Sequence, residues 1–138
     1  MKNFDEQLTK KYEKYFAGCS GNNMMNALGM VKPDDIVKAI IHKKEEIWFL
    51  DIRTSLETDI LGMTFKNTLN MPMNEVFKSE NLAKIPTDKT VVIICQKGIR
   101  ALAVATALRN IGFNNVKTLA GGLKNLIDYL CPMVLYNI

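Results

Sequence analysis

An α/β fold on a mainly parallel sheet is predicted by three observations. Two segments, Ile47–Ile52 and Val91–Ile94, are apolar without alternation, broken only by Asp51. Such runs suit strands covered on both faces. Strand-like and helix-like segments alternate along the chain, as they do when helices cover both faces of a parallel sheet. The length, 138 residues, is enough for one domain with a substantial core. In sheets of this kind ligands sit outside the carboxyl ends of the strands.

Residues 1–30 read as an N-terminal helical extension and 31–138 as the main domain. Phe4, Leu8, Tyr12, Tyr15 and Phe16 recur at helical spacing, and Gly18 suits the helix end. That stripe either packs on the domain's own surface or, being rich in aromatics, makes a homodimer contact. Ser20–Gly29 is loop-like, with a helical turn at Met24–Leu28. Pro33–Lys44 is a helix. Pro33 suits its first position, Asp34 and Asp35 start it, and Lys43 and Lys44 end it, matching the helix dipole. His42 falls near its end, where a structural histidine is expected. Thr54 to Glu57 is a capping box opening a short helix that ends near Gly62. A short strand fits Thr68–Met71, and a modest helix fits Asn74–Lys84, closed by Pro86. Val91–Ile94 leads through a short loop into an Ala/Leu-rich helix ended by Gly112. Asn115–Leu119 is a further strand, and Gly121-Gly122 turns into a last helix from Leu123 to about Leu130, halted by Pro132.

Composition narrows the function. The net charge is +4, with lysines scattered rather than massed, so anionic small molecules fit better than nucleic acid. No apolar run is long enough to span a bilayer. The polar N-terminus lacks the hydrophobic region of a secretory signal. A cytoplasmic protein without a membrane partner is expected. Three widely spaced cysteines show no disulfide framework, and a single histidine argues against a multi-His metal site. No metal and no cofactor are expected.

The chemistry concentrates in Cys95-Gln96-Lys97-Gly98-Ile99-Arg100. Cys95 stands where a strand gives way to a loop, and the loop to a helix. Backbone N–H groups of such a loop and of the helix start converge on one point and favour negative charge there. A sulfur held at that point is favoured as the thiolate. Gly98 allows unusual backbone angles, and Arg100 adds fixed positive charge. A Cys–His pair is not expected, because His42 lies on another helix. Activation by backbone dipoles and cations alone suits attack on a soft electrophile such as a sulfane sulfur. It suits peptide cleavage poorly, since that needs an acid to protonate the amine. Four residues separate Cys95 from Arg100, a cradle on the scale of one sulfur atom. A phosphoryl group needs a longer ring. Asp51, in a buried strand end, needs a partner, and Arg53 or backbone donors of a neighbouring loop are the obvious candidates.

These residues resemble the rhodanese family of single-domain sulfurtransferases. The resemblance rests on Cys95-Gln-Lys-Gly98-Ile-Arg100-Ala, Gly112-Phe-Asn-Asn-Val116 and Leu119-Ala-Gly121-Gly122. Asp51-Ile-Arg53 resembles the family's Asp-Val-Arg and Asn70-Met-Pro72 its Asn-Ile-Pro. It covers about residues 31 to 130. It implies a three-layer α/β fold with a central five-stranded, mainly parallel sheet flanked by helices. It implies that Cys95 carries sulfane sulfur as a persulfide held by the backbone of Gln96 to Arg100. Lys97 matches a basic position that helps bind an anionic donor, and Asp51 and Arg53 would brace the site. The chain departs from the family at Gly62-Met-Thr-Phe, at Leu126 in place of Trp, and at Ala101 in place of Ser. The implied activity moves sulfur from thiosulfate, a persulfide or a polysulfide to cyanide, a thiol or a protein. The alternative is a relay or regulatory module working only with a protein partner. Cys19 and Cys131 read as bystanders.

Overall fold

A computed structural model describes residues 3–130. Five parallel strands form one sheet: β1 (Met30–Val31), β2 (Ile47–Asp51), β3 (Thr68–Asn70), β4 (Thr90–Ile94) and β5 (Val116–Leu119), in the order β1-β5-β4-β2-β3. The helices are α1 (Glu6–Ala17), α2 (Met24–Ala27), α3 (Pro33–Ile41), α4 (Ser55–Ile60), α5 (Ser79–Leu82), α6 (Ile99–Asn110) and α7 (Gly122–Tyr129). This is the α/β arrangement expected from the alternation of elements, with the five-stranded, three-layer form that the resemblance implies.

The continuous apolar runs are explained by burial on both sides. On β4, Val91 and Ile93 pack with Val104, Ala105 and Leu108 of α6. Val92 and Ile94 point the other way and pack with Ile36 and Val37 of α3 and Leu123 and Leu126 of α7. Every residue from Val91 to Cys95 is fully buried. Each large aliphatic side chain so removed from water contributes about 1.5–3 kcal/mol.

Four strands are legible as strand-like segments, but β1 is not. Two residues carry no periodicity to read. β1 is held by its neighbour instead: the Thr118 N–H donates to the Gly29 carbonyl (2.9 Å) and the Ala120 N–H to the Val31 carbonyl (2.8 Å). It straddles residues 30 and 31, where extension and domain were divided.

Two helices differ from expectation. Pro33–Lys44 ends at Ile41, because Lys44 takes a left-handed conformation (φ 54°) and the Glu45 N–H reaches back to the Ala39 carbonyl. The segment expected as one helix over 74–84 is a 3₁₀ turn at Met73–Glu75 and then α5. Lys78 is extended between them, and the Asn81 side chain donates to the Glu75 carbonyl in place of a helical bond (2.8 Å). α7 opens at Gly122, one residue early. Cys131 and Pro132, read as a bystander and as the helix stop, lie outside the described residues.

The extension packs on the far end of α6. Tyr12 and Tyr15 of α1 are half-buried, and the Arg109 guanidinium of α6 lies 5.6 Å from the Tyr15 ring centre. Arg109 also donates to the Ala27 carbonyl (3.4 Å). Phe4, Leu8 and Phe16 stay exposed. Gly29 sits beneath the guanidinium, and a Cβ there would lie 1.6 Å from Nη1 of Arg109. Gly21 has a similar positive φ but nothing within 4 Å. In urea unfolding, G21A should therefore lose about 1 kcal/mol from backbone strain alone. G29A should lose about 1 kcal/mol more, because Arg109 must leave Tyr15. Equal losses would show that Arg109 does not tether the extension.

Candidate active site

β2 and β4 are neighbours, with Asp51 in register with Ile94. Their carboxyl ends therefore emerge side by side. Cys95 follows β4 directly, and Arg53 follows β2 by two residues.

The Cys95 side chain is buried, and its Sγ accepts two backbone N–H bonds, from Gly98 at 3.0 Å and Ala101 at 3.3 Å. Gly98, with φ 101°, caps α6, so the chain doubles back and the first turn of the helix points its N–H groups at the sulfur. Ile99 and Arg100, expected in the loop, are the first two residues of that helix. The N–H groups of Gln96, Lys97, Ile99 and Arg100 have no hydrogen-bond partner among the described residues. They are backbone donors without an internal acceptor in the loop around Cys95. Lys97 is exposed, and Gln96 is partly buried.

The loop carbonyls are turned elsewhere. The Leu123 N–H donates to the Cys95 carbonyl (2.9 Å) and the Lys124 N–H to the Gln96 carbonyl (3.1 Å). Both donors belong to the first turn of α7, whose N–H groups have no partner within the helix. The approach requires Gly122: a Cβ there would lie 2.6 Å from the Gln96 carbonyl carbon, at φ +70°. This accounts for the Gly121-Gly122 pair.

Of the two partners expected for Asp51, the structure shows Arg53. The Arg53 Nη2–Oδ2 distance is 2.8 Å, and Nε reaches Oδ1 at 3.0 Å, with both side chains buried. Arg53 Nη2 also donates to the Leu61 carbonyl at the end of α4 (2.8 Å). The pair braces α4 and lies outside the opening at Cys95.

Arg100 has a partner that no local spacing reveals. Its Nη1 and Nη2 bind Oε1 and Oε2 of Glu57, both at 2.8 Å. Glu57 is fixed in turn by the Thr54 capping box that starts α4. The Arg100 guanidinium holds the Glu57 carboxyl far below its usual 4.5, at about 2, with burial opposing. Glu57 in turn raises Arg100 further. Arg100 thus braces α6 against α4, and much of the positive field expected from it is cancelled. The sequence shows Glu57 only as a capping residue; its second partner lies 43 residues away.

Glu57, Cys95, Gln96, Lys97, Ile99 and Arg100 line an open depression of about 460 Å³. His42 is exposed at the end of α3, away from this opening. No group of three metal-ligating side chains forms among the described residues. No helix among them is long and apolar enough to cross a membrane.

A family model for the rhodanese-like domain matches residues 33–128. The chain belongs to the rhodanese family. A sulfurtransferase from Allochromatium vinosum is 32% identical over 90 residues, covering 65% of this chain and 80% of that protein. The probable adenylyltransferase/sulfurtransferase MoeZ of Mycobacterium tuberculosis is 31% identical over 88 residues, covering 63% of this chain. The match spans only 22% of that longer relative. The crystal structure of a rhodanese-related protein from Thermoplasma volcanium superposes with a TM-score of 0.61 at 24% identity, covering 75% of this chain and 94% of that one. The rhodanese match runs from α3 into α7, so it includes every residue lining the depression.

Two variants probe the geometry. G122A should destabilise the chain by about 1–3 kcal/mol in chemical denaturation. Glu57 has a depressed folded pKa, so its contribution is full above pH 4.5 and is lost as pH falls toward 2. Wild type should lose stability over that window relative to E57Q. At pH 7 the pair's contribution is about 1 kcal/mol. Parallel stability profiles for the two proteins between pH 5 and 2 would contradict the pairing.

Proposed function

We propose that this rhodanese-family chain is a sulfurtransferase that carries sulfane sulfur as a persulfide on Cys95. The observation that supports this reading best is the pair of N–H bonds from Gly98 and Ala101 to Sγ. Backbone donors at a helix start stabilise an anion on that sulfur and cost no reorganisation when the charge appears.

The cycle is a double displacement. The Cys95 thiolate attacks the outer sulfur of thiosulfate, a persulfide or a polysulfide. The bond to the rest of the donor breaks, and that remainder leaves as an anion, sulfite in the case of thiosulfate. No proton donor is needed, which fits a site without histidine. The unpartnered N–H groups of Gln96, Lys97, Ile99 and Arg100 hold the transferred sulfur. Lys97 attracts an anionic donor. The outer sulfur then passes to cyanide, a thiol or a protein, and the Cys95 thiolate returns. No cofactor enters this scheme.

A second reading is a relay module that turns over only with a protein partner. The pairing of Arg100 with Glu57 favours it, because it removes a cation that a small dianionic donor would use.

Incubation with polysulfide, and separately with thiosulfate, should add one sulfur atom to the intact mass of wild type and none to C95S. Loss of transfer in C95S should be complete, and a C95S protein that still turns thiosulfate and cyanide into thiocyanate would falsify the assignment. Persulfide formation with thiosulfate–cyanide turnover near background would select the relay reading.

A further inference from the structure

The opening at Cys95 carries more apolar surface than a small anion uses. Ile99, Ile60 and Leu56 are 79%, 78% and 69% exposed, the highest values among large apolar side chains of the described residues. All three sit on the two helices joined by the Glu57–Arg100 pair. Ile99 precedes Arg100 at the start of α6, Leu56 precedes Glu57, and Ile60 lies one turn further along α4. Exposed aliphatic side chains on the two helices that supply Glu57, Ile99 and Arg100 to the opening mark a contact surface.

This surface extends past the depression. Ile99 lines the depression, but Leu56 and Ile60 do not. A small acceptor seated at Cys95 leaves them in water, whereas a polypeptide reaching the sulfur covers them. At the end of α4, Leu61 leads into a further apolar groove of about 290 Å³ shared with Met63, Leu123 and Ile127. α7 ties that groove back to the sulfur loop through Leu123 and Lys124.

Charge points the same way. Arg53 is held by Asp51 and Arg100 by Glu57. Among the described residues lining the depression, Lys97 is the one cation without an ionic partner. A single lysine beside aliphatic side chains complements a single carboxylate set in an apolar segment better than a compact dianion.

We infer that the sulfur acceptor is a protein cysteine in an apolar segment with one acidic neighbour, which docks on Leu56, Ile60 and Ile99 and faces Lys97. This rests on the reading of Cys95 as a sulfur carrier. The acceptor thiolate attacks the outer sulfur of the Cys95 persulfide. The sulfur–sulfur bond breaks, its electron pair stays on Sγ as the Cys95 thiolate, and the acceptor becomes the persulfide. The outer sulfur is an anion before and after the transfer, so a thiolate and a persulfide anion give a persulfide anion and a thiolate, the charge is unchanged, and no oxidant or reductant is consumed.

The test uses the full chain loaded at Cys95 with polysulfide. It is mixed with two synthetic peptides of equal length, each with one Cys and an adjacent Glu. The other flanking residues are Leu and Ile in one peptide and Ser in the second. Intact mass of chain and peptide follows the sulfur. Wild type should load the apolar peptide about ten-fold faster than the serine peptide. In the folded double variant L56S/I60S this advantage should fall to about two-fold or less, with transfer to glutathione unchanged. Equal rates with the two peptides in wild type overturn the inference and leave the sulfur-carrier reading standing, as does an advantage that survives L56S/I60S. A wild-type chain that takes up no sulfur at Cys95 overturns both.

Discussion

The contact on which this site depends is the one between the start of α7 and the backbone that follows β4. A tight loop contains carbonyls as well as N–H groups, and the two favour opposite charges. Here the N–H groups of Leu123 and Lys124 take the carbonyls of Cys95 and Gln96. The N–H groups of Gly98 and Ala101 are left for the sulfur. Two helix starts are thus used together: α7 draws off the carbonyls, and α6 supplies the donors. Neither helix needs a charged side chain at the sulfur for this, and the close approach is why position 122 has no side chain.

Around that contact the charged residues act mainly as braces. Asp51 and Arg53 are buried as a hydrogen-bonded pair and fasten the end of α4 at Leu61. α4 then presents Glu57, which fastens Arg100 and with it the start of α6. A buried pair gives little net stability after desolvation, but breaking one partner away is costly. What the chain gains is position: the first turn of α6 cannot rotate away from the sulfur without parting from α4. The same bracing pairs both arginines with carboxylates, leaving Lys97 as the cation without an ionic partner among the described residues that line the depression.

Much of this was legible in the residues. Four consecutive apolar residues before Cys95, a glycine inside the loop and an Ala-rich helix after it placed the sulfur at a strand end. The Thr54–Glu57 capping box follows from local spacing, and Arg53 is one of two partners that local spacing offers Asp51. What was not legible is non-local or too short to have a pattern. β1 is two residues long and exists because β5 offers it hydrogen bonds. Glu57 looked like a cap alone, since nothing in its neighbourhood names Arg100. Ala101 stands out in the sequence for its side chain, yet its backbone N–H is one of the two donors to Sγ. The segment 74–84 has the composition of a weak helix, and the buried Val76 and the Asn81 side chain settle it as two turns instead.

The central claim is that the backbone at Cys95 is built to hold a second sulfur atom. The most direct measurement is a ¹H–¹⁵N correlation spectrum of the labelled chain before and after loading with polysulfide. The account predicts downfield shifts of the amide protons of Gln96, Lys97, Ile99 and Arg100 on loading, reversed when the sulfur is removed by cyanide. If Cys95 carries the extra sulfur by mass while those four amides do not move, the cradle described here does not hold it.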